Sequence, residues 1–117
     1  MAENTERTGG EDMIDEGHPI LPGEPGTAAI NFTKERFTGD SYLWRNGDEV
    51  WISFIESKEP GKGYFSELVA AMEAHDFNVL VPTPLGKMTA ILTHLGFIPQ
   101  ARDIHGESVE VWERPTP

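Results

Sequence analysis

The chain has 117 residues, 38% apolar and 25% charged, enough for one domain with a modest core and too few for two. It has no Cys, which excludes disulfides and thiolate zinc sites. Its net charge of −11 divides into −6 over residues 1–40 and −5 over residues 41–117, so both parts would repel a phosphate backbone and no nucleic-acid partner is expected.

Residues 1–26 are acidic, rich in Gly and Pro and poor in aromatics. Such a segment buries too little apolar surface to offset its ordering entropy, so a flexible acidic tail is expected, with the domain over 27–117. Its apolar island, His18 to Pro22, offers a point for docking on the domain, on a protein partner or in a homo-oligomer. The N-terminus has no apolar signal core, and no run nears the ~20 apolar residues that span a bilayer. A cytoplasmic protein without a membrane partner is the expectation. The acidic surface serves solubility first, and it could also attract a cationic amine.

From Thr27, "TAAINFT" reads as a short strand. "SYLWR", "NGD" and "EVWISFIES" read as a hairpin turning at Asn46-Gly47. Alternation puts Val50, Ile52 and Phe54 on one face and Trp51, Ser53 and Ile55 on the other, which predicts a strand covered on both sides. After a Pro-Gly-Lys-Gly turn, Phe65, Leu68, Val69 and Met72 recur at helical spacing up to His75-Asp76. "FNVLVP" is a strand stopped by Pro82 and Pro84. Leu85, Met88, Ile91, Leu92 and Leu95 mark a second helix, and Gly96 suits its left-handed C-terminal residue. "FIPQARDI", "HG" and "SVEVWERP" form a closing hairpin. The order is β-β-turn-α-β-α-β-β, an α+β chain.

A helix N-terminus exposes unpaired amides and a partial positive charge. At the start of the first helix, Gly61 and Gly63 permit close approach, the amides of Gly61 to Phe65 could converge on an anion, and Lys62 adds a cation. Pro60 has no N–H to give. The same turn also serves as a plain strand-to-helix connection. His18, His75, His94 and His105 are too scattered for a metal motif, and no Ser-His-Asp order is legible.

The pieces "FIESKEPGKGYFSELVAAME", "FNVLVPTP" and "MTAILTHLGF", in this order, resemble the GCN5-related N-acetyltransferase (GNAT) family over Thr27 to Arg114, and the chain looks like the pared-down versions of that fold found in phage genomes. The resemblance implies a mixed, mostly antiparallel sheet with two main helices and a splayed parallel strand pair. It implies an acetyl-CoA cosubstrate, an amine acceptor and N-acyltransferase activity. The family's Gln/Arg-x-x-Gly-x-Gly/Ala loop falls on Pro60 to Phe65, where Gly63 matches and Pro60 and Phe65 depart. A shifted register from Lys58 fits the letters but puts the helix out of phase. By the same resemblance, backbone groups of Ile55 to Ser57 pair with pantetheine, and Gly61, Lys62, Gly63, Tyr64 and Phe65 hold the pyrophosphate end.

Acyl transfer needs a base for the amine and an acid for the leaving thiolate. The family's Tyr, one turn before the corner Gly, corresponds here to Leu92, and a frequent Asn falls near Leu85. Glu49 and Glu56 flank the strand and are the candidate bases, and His94 is a candidate acid. The alternative is a catalytically inactive GNAT-fold binding protein, such as a phage structural or accessory protein. The family's helices between its first two strands are missing, so the acceptor side is reduced or completed by the tail or a second subunit.

Overall fold

The computed structural model describes residues 14–84 and 86–114. A 3-10 helix at Thr27–Ile30 precedes strands β1 (Tyr42–Asn46) and β2 (Glu49–Phe54). Helix α1 (Tyr64–Ala74), strand β3 (Asn78–Pro82), helix α2 (Lys87–His94) and strands β4 (Ile98–Ile104) and β5 (Glu107–Glu113) follow. One mixed sheet runs β1-β2-β3-β5-β4. Its neighbours are antiparallel except β2 and β3, whose parallel pairing needs the crossover that α1 supplies. The α+β architecture with two helices is as expected.

One cluster holds the core: Val50 and Ile52 of β2, Val79 and Val81 of β3, Leu68, Val69 and Met72 of α1, and Leu92 of α2. Trp51 and Leu80 pair on the other face of the sheet. There Arg102 lies 5.7 Å from the Trp51 ring centre and bonds Glu49 at 3.1 Å and Glu113 at 3.2 Å. Side chains rather than a second layer cover this face of β2, and Ser53 on it is exposed, so the two-sided burial expected of β2 is only partial.

Helix ends are set by local chemistry. At the end of α1, Asp76 takes φ 68, and the amides of Asp76 and Phe77 reach the carbonyls of Glu73 and Met72 at 2.9 and 3.0 Å. At the end of α2, Gly96 takes φ 90, and the amides of Gly96 and Phe97 reach Thr93 and Leu92 at 3.1 and 2.9 Å. Both are Schellman closures, with a buried apolar pair, Met72 and Phe77 or Leu92 and Phe97, across the bond. The Leu95-Gly96-Phe97 corner is therefore a helix stop. The final hairpin turns at His105-Gly106, both at positive φ as a type I′ turn requires.

Four expectations change. Thr27–Ile30 is a 3-10 helix instead of a strand, because Gly26 (φ 85) and Asn31 (φ 64) turn the chain at both ends. The first hairpin turns at Gly47-Asp48, since Asn46 pairs with Glu49 and only Gly47 has positive φ. A bulge between Tyr42 and Leu43 shifts the pairing, so Phe54 is 47% exposed while Ile55 packs on the core. A one-residue slip exchanges faces, which reverses the alternation expected past Ser53.

The fourth concerns the tail. Residues 14–26 belong to the domain: Ile14 and Ile20 are each 1% exposed within the core. Ile20 and Leu43 exchange backbone bonds of 2.8 and 3.0 Å. Arg45 Nη1 donates to the Ile14 carbonyl at 2.6 Å, and the Gly47 amide donates to Glu16 Oε1 at 2.8 Å. Two isoleucines thus anchor a segment whose average composition is that of a tail. Residues 1–13, the rest of the expected tail, lie outside the described residues. No helix among the described residues is long and apolar enough to cross a membrane.

Candidate functional site

The site arises where β2 and β3 part. Their ladder ends at the rung Trp51–Leu80. The Asn78 amide donates to the Asp48 carbonyl at 2.8 Å, and in a parallel ladder every second residue of β3 repeats this role. Residue 82 is the one that fails, because proline has no N–H. Beyond it Thr83 turns at φ 43 and gives its amide to the Glu110 carbonyl, 2.9 Å away on β5.

The chain after β2 bends the other way. The Thr38 amide donates to the Glu56 carbonyl at 3.0 Å, and the Lys58 amide to the Arg36 carbonyl at 2.7 Å. The Glu56 amide is held by Ser41 Oγ at 2.9 Å. With these groups committed to one side, alternation turns the N–H and C=O of Ile55 and Ser57 to the other. There they have no backbone partner among the described residues.

The loop adds more free donors. Gly61 and Gly63 take φ 90 and 78, and the first helical bond runs from the Glu67 amide to the Gly63 carbonyl at 3.0 Å. No side chain caps α1; Pro60-Gly61 form a tight turn that directs the Lys62 amide back to Glu59, and the amides of Gly61 and of Gly63 to Ser66 have no acceptor among the described residues. A Cβ placed on Gly61 or Gly63 would meet nothing within 4 Å, so the space beside these glycines is open. An anion there would meet several N–H groups and the positive end of α1.

These pieces border one cavity of about 810 Å³, within the range of small-molecule sites. Ile55, Glu56 and Ser57 line it from the end of β2, and Gly61, Gly63, Tyr64, Phe65 and Ser66 from the loop and α1. Lys87, Met88, Ile91, His94 and Leu95 line it from α2. Tyr64 is fixed in place: its ring stands edge-on to Phe37 at 6.3 Å, with Arg36 4.8 Å from its centre. Arg36 is itself ion-paired with Glu67. Lys62 does not line the cavity, and its ammonium lies 3.9 Å from Glu59.

The two candidate carboxylates separate. Glu56 lines the cavity and accepts a 3.3 Å bond from the Thr38 hydroxyl. Glu49 starts β2, six residues and roughly 20 Å from Ile55. It is bound to Arg102 on the face away from the core and does not line the cavity.

Helix α2 supplies the opposite wall of the cavity. Leu92 is its one fully buried side chain, which is why the position can hold no polar acid. Met88, Ile91 and Leu95 form the adjoining stripe at i, i+3 and i+7 and face the cavity, Ile91 with 40% exposure. The signal for this wall was a stripe wider than one core contact needs. Leu85 lies outside the described residues. His94 reaches the same cavity, whereas His75 caps α1 and His105 sits in a turn. Among the described residues no three His, Asp or Glu side chains are grouped to hold a metal. The chain matches no protein-family model, no curated protein and no solved structure.

Proposed function

We propose that the cavity binds an acyl-CoA, acetyl-CoA being the simplest, and that the protein transfers the acyl group to an amine. The observation that carries this reading is the continuity of two kinds of free backbone group. The amides of Gly61 and of Gly63 to Ser66 suit a pyrophosphate, and the N–H and C=O of Ile55 and Ser57 suit the amides of a pantetheine arm. Few ligands are anionic at one end and amide-bearing along a chain that ends in a thioester. The order of elements, the parting of β2 and β3 and the resemblance to N-acetyltransferases support the same reading.

In this reaction the amine nitrogen attacks the thioester carbonyl, and the C–S bond breaks. Glu56 takes the amine proton, directly or through one water, and His94 protonates the leaving thiolate. The remaining rate comes from holding amine and carbonyl together. The apolar Leu92 favours a second reading, a binding protein that keeps the cavity without turnover. Saturable acetyl-CoA binding without thiol release across an amine panel would select it.

Calorimetric titration with acetyl-CoA tests the site, and no heat of binding at millimolar ligand would overturn it. Ser66 gives a sharper test, because it lies in the first turn of α1 at the cavity wall. Ser66→Glu should stabilise the fold by about 0.3–1 kcal/mol through the helix dipole. It should also weaken acetyl-CoA binding roughly tenfold by repelling the pyrophosphate. Ser66→Gln should do neither.

A further inference from the structure

A second, smaller cleft opens where β2 and β3 diverge, with a volume of about 230 Å³. Ile52, Phe54 and Ile55 line it on one side, Val81, Pro82 and Met88 on the other. No charged side chain lines it among the described residues. It shares Ile55 and Met88 with the large cavity, so the two are neighbours across these side chains. The rung that would close it is the one Pro82 cannot make.

We infer that this cleft receives an apolar acyl chain longer than acetyl, of about four to six carbons, from a thioester lying in the large cavity. The inference rests on the proposed acyl-CoA reading and extends it to the choice of acyl group. The cleft has room for about seven water-sized groups, which a two-carbon acyl group would leave largely unfilled. Its walls offer an acyl tail contact without the desolvation of a charge. Each methylene moved from water into such a site strengthens binding by about fourfold. Ser53 stands exposed at the rim of the cleft, and Val81 is buried in its wall.

The test is calorimetric titration of the full chain with CoA, acetyl-CoA, butyryl-CoA and hexanoyl-CoA. Affinity should rise along the series, with butyryl-CoA binding roughly fifteenfold more tightly than acetyl-CoA. Ser53→Phe and Val81→Leu, each filling the cleft from a different side, should flatten that rise and leave CoA itself bound within about twofold. Equal affinities for the three thioesters would overturn the inference and leave the large cavity's reading standing. A rise that persists in both variants would place the chain elsewhere and overturn it too. Failure of CoA and all thioesters to bind would overturn the underlying reading.

Discussion

Asp76 and Gly96 hold equivalent positions past the ends of α1 and α2, at φ 68 and 90. Only glycine adopts this region without strain, and the Schellman bonds demand it at both places. Asp76→Gly should therefore raise stability by about 0.5–1 kcal/mol, whereas Gly96→Ala should lower it by at least about 1 kcal/mol. Urea midpoints at unchanged slope are the measurement. The two candidate carboxylates give a contrast of another kind. Glu56 borders the cavity and Glu49 is bound to Arg102 across the sheet. Glu56→Gln should lower kcat/KM roughly a hundredfold and Glu49→Gln should leave it unchanged. A steady-state assay of thiol release distinguishes them, and equal rates in both variants would remove Glu56 as the base.

Among elements, the segment from Ile14 to Pro25 and helix α2 show how few contacts can place a piece of chain. Ile14 and Ile20 are the segment's buried anchors, and Ile20 also bridges Leu43 at the edge of the sheet. Ile20→Ala should cost about 2–4 kcal/mol, which a thermal melt would show as a large fall in Tm. A shift of a degree or less would mean that the segment rests on the domain without stabilising it. Helix α2 is seated by Leu92 and by Arg114, whose guanidinium holds Glu73 of α1 and donates to the Leu95 carbonyl at 3.0 Å. A helix fixed along one line can offer its next stripe to a ligand, and Met88, Ile91 and Leu95 do so.

For the whole molecule, the net charge of −11 disfavours phosphate backbones, yet among the described residues the cavity is lined by free amides, Lys87, His94 and one carboxylate, Glu56. An anion entering the cavity would therefore meet local dipoles inside an acidic surface. Dipoles act within a few ångströms, and charges beyond a Debye length of about 8 Å are screened. The acidic surface and the anion-suited loop are thus compatible.

The amino-acid sequence by itself determined the order of elements from β1 onward, the two helix ends, the closing hairpin and the place of the glycine loop. Each depends on neighbours within a few residues: apolar spacing, a glycine at positive φ, a proline without N–H. Pro82 also marked where the strand it ends could no longer pair, since proline has no N–H. Tertiary structure alone decided the rest. The bulge that turns Ile55 inward depends on how β1 pairs, and the pairing of Glu49 depends on Arg102, distant in the chain. The burial of Ile14 and Ile20 depends on a sheet edge formed later in the chain. The division of one apolar stripe on α2 between core and cavity depends on the packing of Leu92 in the core and the Arg114 bond to the Leu95 carbonyl. These outcomes rest on contacts between residues far apart in sequence, which local pattern does not encode.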